Sequence, residues 1–274
     1  NGNEQTLSNS EWLVWKMPQY NFVTSLNKKY WELGSRENIK TWDKHLPEDV
    51  KIHIFSEDLE VDTWYHNGKL SPRVIWYSIY ESCPKLVAFL NVGEKDPFLN
   101  GDIMAKEKFK FKWQATKFAH KTFPIFRMAE GTGKLVWLDA DAMIHSPMDH
   151  NFLNSLQPDG HGISYLGRPS VYDECGFMMY DLDNVQVKQF LKDFEEMYTT
   201  LKLKELRETH DSFIFTTLRL QNKNKNLFFD LNKGATTNKH PFNSSILRPK
   251  MVHMKGHNKK AKMGKFLKRH KVEI

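Results

Sequence analysis

The chain has 274 residues, 40% hydrophobic and 27% charged, an ordinary globular composition with length enough for a substantial core. No stretch approaches the roughly 18 apolar residues of a membrane-spanning helix, and the polar start Asn1-Gly2-Asn3-Glu4-Gln5 lacks the basic and apolar regions of a signal peptide. The net charge of +7 belongs to one end: residues 248–274 carry ten Lys or Arg against Glu273, leaving 30 basic and 32 acidic side chains on the other 247 residues. This is a nearly neutral body with a basic tail, which excludes a uniformly basic protein. Two cysteines, Cys83 and Cys175, make neither a disulfide framework nor a Cys-x-x-Cys zinc pair, so reduced thiols and a cytoplasmic location are expected.

Residues 20–26 read as a first strand, followed by a helical stretch bearing Tyr30, Leu33, Glu37 and Trp42. Residues 51–56 alternate apolar and polar and read as a second strand ending at Glu57-Asp58. This strand, helix, strand opening suits a nucleotide-binding α/β half. Residues 86–90, Leu-Val-Ala-Phe-Leu, read as a third strand, and 91–101 as a loop. Residues 106–128 place Phe109, Trp113, Thr116, Phe118, Ala119 and Phe123 at helical spacing among lysines.

The most informative stretch follows. Lys134-Leu135-Val136-Trp137-Leu138 is an apolar run that reads as a strand covered on both faces, and it ends abruptly in Asp139-Ala140-Asp141. Acids at the carboxyl end of such a strand fall where open α/β sheets place ligands. Two carboxylates this close suit a hard divalent cation, Mn²⁺ or Mg²⁺, with phosphate oxygens completing its shell. Further along, the second half of residues 172–181, after Gly176, reads as a strand preceded by the two acids Asp173 and Glu174, residues 185–206 as a long charged helix, residues 208–215 as an acid-bearing turn entering an apolar segment, and residues 222–243 as loops.

Near the end, Met251-Val252-His253-Met254-Lys255-Gly256-His257-Asn258-Lys259 sets an imidazole, a glycine and a lysine at intervals of three. Neutral imidazole is a metal ligand, glycine lets backbone approach a phosphate, and lysine supplies a point charge for it. A strand ending in Asp-x-Asp together with a C-terminal His-x-x-Gly-x-x-Lys resembles the nucleotide-sugar glycosyltransferases of GT-A fold, most closely the glycogenin-type group of retaining galactosyl- and glucosyltransferases. The Pro-Trp that usually follows the lysine in that group is Lys260-Ala261 here.

The resemblance implies an α/β fold of GT-A, Rossmann-like type, with a mixed sheet flanked by helices and a basic C-terminal segment. It implies one domain over residues 1–274, with a nucleotide-binding half at about 18–145, an acceptor-side half at 146–247 and a metal- and diphosphate-binding tail at 248–274. Asp139, Asp141 and His253 would hold Mn²⁺ or Mg²⁺. Asp139 would also reach the ribose, and Gly256 and Lys259 the diphosphate. Thr24, Ser25, Asn27 and Asp58, after the first two strands, and Lys112 and Lys117, on the helix before the Asp-x-Asp strand, are the other donor candidates. Asp173 is a candidate for the sugar hydroxyls, and Glu174 and Asp211 for catalysis, although the Gln expected after Asp211 is Ser212.

The activity implied is metal-dependent, retaining transfer of a hexose or pentose from a nucleoside diphosphate sugar, most simply a UDP-sugar, to an acceptor hydroxyl. The basic tail points to an anionic acceptor: modified DNA, as with a virus-type enzyme of the host cytoplasm, a glycan, or a lipid head group. Two alternatives stand beside it. One is a non-catalytic nucleotide- or nucleic-acid-binding module using the tail, against which aromatics are sparse there, with Phe266 alone. The other is a phosphatase of haloacid dehalogenase type, whose pattern wants Thr or Val where Met143 stands.

Overall fold

The computed structural model describes residues 19–58, 70–103, 114–233 and 240–253. Lys112, Gly256, Lys259 and the tail beyond His253 lie outside the described residues. In chain order the strands are β1 (Tyr20–Leu26), β2 (Lys51–Ser56), β3 (Val74–Ser78), β4 (Lys134–Leu138), β5 (Ala142–Ile144), β6 (Ile163–Leu166), β7 (Glu174–Asp181), β8 (Phe228–Asp230) and β9 (Met251–His253). The helices are α1 (Arg36–His45), α2 (Pro84–Gly93), α3 (Ala115–Met128), α4 (His150–Ser155), α5 (Val185–Thr199) and α6 (Asp211–Gln221).

Seven strands form one mixed sheet in the order β3-β2-β1-β4-β7-β6-β8, and β5 and β9 pair as a separate antiparallel ribbon. The half containing β3, β2, β1 and β4 is parallel, whereas β7 runs antiparallel to both β4 and β6. The α/β class and the mixed sheet flanked by helices are therefore as expected. No helix among the described residues is long and apolar enough to cross a membrane.

The pleat explains how an apolar run such as β4 is buried throughout. Leu135 and Trp137 enter one core with Phe89 and Leu86 of α2, Phe123 of α3, Phe190 and Phe194 of α5 and Phe215 of α6. Val136 and Leu138 enter a second core on the opposite face with Ile39 and Trp42 of α1, Leu153 of α4 and Met251 of β9. Successive side chains point to opposite faces, so a central strand needs apolar residues at every position.

Several local expectations are corrected. Residues 86–90 are not a strand but the middle of α2. Pro84 occupies its first turn, and Leu86, Phe89, Leu90 and Gly93 are its buried positions, a spacing of three and four that a short apolar run conceals. The third strand is instead β3, whose Val, Ile, Trp and Tyr are good strand formers. The first helical stretch is kinked at Gly34, whose φ of 127° only glycine adopts freely, so α1 starts at Arg36. The helix expected over 185–206 ends at Thr199. Leu201 then turns left-handed with φ of 60° into a short 3₁₀ turn. The apolar segment after the turn at 208–210 is helix α6, and the stretch expected as loop includes the edge strand β8.

Candidate functional site

The Asp-x-Asp turn leaves the carboxyl end of β4 and is held from both sides. From α1, buried Asn38 donates through Nδ2 to the Ala140 carbonyl at 2.9 Å, and Trp42 through Nε1 to the Ala142 carbonyl at 2.8 Å. Thr41 Oγ1 accepts from the Ile144 amide at 3.1 Å. From the antiparallel partner, the Asp139 amide donates to the Gly176 carbonyl at 2.9 Å. Because β7 runs opposite to β4, its first residues, Glu174 to Gly176, lie beside the last residues of β4.

Pairing of β5 with β9 sets Ala142 opposite His253 and so carries the imidazole back across more than a hundred residues to the turn. His253 Nε2 lies 2.6 Å from Asp141 Oδ1 and 3.8 Å from Asp139 Oδ2. Potential ligand atoms of Asp139, Asp141 and His253 all fall within 4.8 Å of one another, one nitrogen and two carboxylates on a short radius, a donor set that fits Mn²⁺. Gly176 lies beneath them. A Cβ at that position would meet Asp139 Oδ2 and the His253 ring at 3.1 Å and Glu174 Oε1 at 3.2 Å, so a side chain there would push on all three groups.

Beside this cluster stands a half-buried cation that the sequence reading did not single out. Lys121 Nζ lies 3.0 Å from Asp139 Oδ1 and 3.0 Å from Asp211 Oδ2, and donates to the Cys175 carbonyl at 2.6 Å. Burial alone would discharge this lysine, but the two carboxylates override it and hold its pKa well above the ordinary value. Trp137, two residues before Asp139 and on the same face of β4, donates through Nε1 to Asp139 Oδ1 at 2.8 Å and puts its ring under the ammonium. The available signal was spacing: Lys117 and Lys121 are four apart on α3, hence on one helical face. Asp211 is the first residue of α6, where a carboxylate meets the positive end of the helix.

A cleft of about 430 Å³ opens over the carboxyl ends of β1, β2 and β4. Ser25, Asn27, Lys117, Asp139 and Asp141, all anticipated, line it together with Lys121, Glu57 and Tyr30. Thr24 does not line it: it is fully buried within β1, pointing to the face opposite Ser25. Nor does Asp58, whose carboxylate accepts from the Lys28 amide at 2.5 Å and so caps the turn after β1. Asn27 has a local duty as well, accepting from the Tyr30 amide at 3.1 Å.

Glu174 and Asp173 diverge although adjacent. Glu174 is buried, accepts from the Gly176 amide at 3.3 Å, and has Arg168 at 3.7 Å and His240 at 3.3 Å. His240 was not anticipated. Asp173 faces the other way, into a groove of about 800 Å³ on the β6 side, where Arg219 donates through Nε at 2.7 Å and Nη2 at 3.1 Å. Burial raises the Asp173 pKa against the opposing effect of Arg219.

The parallel half with acids at its carboxyl end, continued by antiparallel β7, matches the α/β fold of GT-A type expected from the sequence. No family model matches the sequence, and no curated protein matches it. Solved structures that share the fold include two glycosyltransferases. One is apo mouse xyloside xylosyltransferase 1, with a TM-score of 0.51 at 13% identity over 78% of this chain and 85% of that one. The other is the apo bifunctional glycosyltransferase WbbM, with a TM-score of 0.52 at 12% identity over 88% of this chain. The chain covers 46% of WbbM.

Proposed function

We propose that the chain is a metal-dependent glycosyltransferase that moves a sugar from a nucleoside diphosphate sugar, with UDP as the nucleotide, to an acceptor hydroxyl. The observation that carries this reading is the convergence of Asp139, Asp141 and His253, from a strand end and a distant ribbon, at the mouth of the cleft over β1, β2 and β4. Ser25, Asn27 and Lys117 would meet the nucleotide, and Gly256 and Lys259 remain expectations for the diphosphate. A bound Mn²⁺ would neutralise charge on the departing diphosphate, the electrostatic contribution that usually dominates such reactions.

The chain's own groups supply the rest. Lys121 fixes the Asp139 and Asp211 carboxylates, so Asp211 suits stabilising an oxocarbenium-like sugar more than carrying a proton. Because Lys121 engages the Asp211 carboxylate, retention of anomeric configuration is the expected stereochemistry. Glu174, on the opposite side of Gly176, would orient sugar or acceptor hydroxyls. The groove at Asp173 and Arg168 is the acceptor side, and the basic tail favours a polyanionic acceptor such as modified DNA or an anionic glycan.

Incubation with a panel of UDP-sugars and Mn²⁺ tests this reading through slow release of UDP, with water as acceptor. Release that falls about 10²-fold or more in Asp141→Asn is expected. Binding without release would make the chain a non-catalytic nucleotide-binding module, and absence of both would end the donor reading.

A further inference from the structure

We infer that a second metal site, built from Glu174, His240 and His253, adjoins the Asp-x-Asp group. Potential ligand atoms of these three residues lie within 4.8 Å of one another, a grouping distinct from Asp139, Asp141 and His253 although it shares the imidazole. His240 Nε2 stands 3.3 Å from Glu174 Oε2, and the rings of His240 and His253 meet edge to face with centroids 5.1 Å apart.

The shared histidine supplies the decisive detail. Its side chain is 1% exposed, and Nε2 is committed to Asp141 at 2.6 Å. The other ring nitrogen, Nδ1, is buried and has no hydrogen-bond partner among the described residues. Ring nitrogens of buried histidines are normally satisfied, because stranding one costs its full desolvation. A metal-bound histidine whose second nitrogen only needed orienting would give it to a carboxylate or carbonyl. Here Nδ1 is the ring nitrogen that Asp141 does not engage, and so the one with a lone pair to offer an ion.

Two imidazoles and one carboxylate are the protein ligands of many catalytic zinc centres and suit Zn²⁺, Co²⁺ or Ni²⁺ rather than Mg²⁺ or Ca²⁺. The two groups therefore differ in taste, the oxygen-rich pair preferring a hard ion and the nitrogen-rich trio a softer one. An ion on the trio ties β9 and the turn at His240 to the start of β7, so filling it also stabilises the fold.

The test is titration of the metal-free protein with Co²⁺, without nucleotide, which keeps the outcome independent of the donor reading. In Asp141→Asn, which weakens the oxygen-rich group, one Co²⁺ per chain should bind with the intense visible absorption of a four-coordinate ion and raise the unfolding temperature. Adding His240→Ala should remove the absorption and weaken binding at least about tenfold. His240→Asn, which keeps a polar side chain, is the second variant if alanine unfolds the protein. Retention of the absorption in both His240 variants, or no Co²⁺ bound by Asp141→Asn, would overturn the inference.

Discussion

Two carboxylate clusters lie on either side of the start of β7, and they differ in what closes them. Asp173 is 2% exposed and accepts two hydrogen bonds from one edge of the Arg219 guanidinium and one from the Thr216 hydroxyl at 3.0 Å. The Asp139 side chain keeps 24% of its surface open to a cleft and shares a single ammonium with Asp211. A closed, bidentate pair is a scaffold contact that fixes β7 to α6. A carboxylate that shares a cation and keeps an open face can still accept a ligand, and Asp139 stands where three parallel strands end.

The largest effect should come from removing the shared cation. Lys121→Met leaves Asp139 and Asp211 facing each other in a poorly solvated site, which should cost about 3–5 kcal/mol in chemical denaturation, whereas Lys121→Arg should retain most of the stability. A loss below about 1 kcal/mol would mean the two carboxylates repel little and would blur the contrast drawn above.

Next in size, Arg219→Leu strands Asp173 and should cost about 2–4 kcal/mol, while leaving affinity for UDP and Mn²⁺ unchanged. Loss of nucleotide binding in that variant would merge the two clusters into one functional unit.

A third closed polar group sharpens the contrast through pH. His53, buried in β2, is held between the Tyr77 hydroxyl at 3.0 Å and Asn21 Oδ1 at 3.1 Å, and burial, aided by Lys51, lowers its pKa to about 4. The unfolded chain therefore takes up a proton below pH 6.5 that the folded chain refuses until about pH 4. Stability should fall progressively across that window, by at most about 3 kcal/mol from this residue. A series of urea midpoints on His53→Gln should show a shallower acid slope. An unchanged slope would assign the acid sensitivity elsewhere.

The smallest change in stability should carry a specific loss at the site. Gly176→Ala should cost about 1 kcal/mol or less, yet weaken Mn²⁺ binding by about tenfold, because the added methyl presses on Asp139, His253 and Glu174 at once. Mn²⁺ titration followed by electron paramagnetic resonance checks this, and unchanged affinity would show that the neighbours yield without cost.

The legible parts of this molecule were those encoded locally. The alternation of β2, the continuous apolar run of β4 and its abrupt acids announced a central strand end, and the imidazole of His253 was noticed because it sits in a spaced motif. What escaped depends on tertiary contacts. Lys121 differs from Lys117 only in facing two carboxylates 18 and 90 residues away. Asp173 and Glu174, neighbours in the chain, are separated by the pleat at the start of β7, so their opposite surroundings have no signature in composition. The strand at β3 was hidden because the apolar run of α2 carries a similar local signal, and only the spacing of its buried positions and Pro84 tell the two apart.

The most direct test of the donor site is unfolding temperature with UDP, with and without Mn²⁺, on the wild type and Asp141→Asn. Stabilisation requiring both components, about 2.7 kcal/mol at a ligand concentration 100 times Kd, and absent from the variant, is the predicted result. Equal stabilisation of the variant, or none in the wild type, would contradict the assignment of the open carboxylate cluster as a nucleotide-diphosphate site.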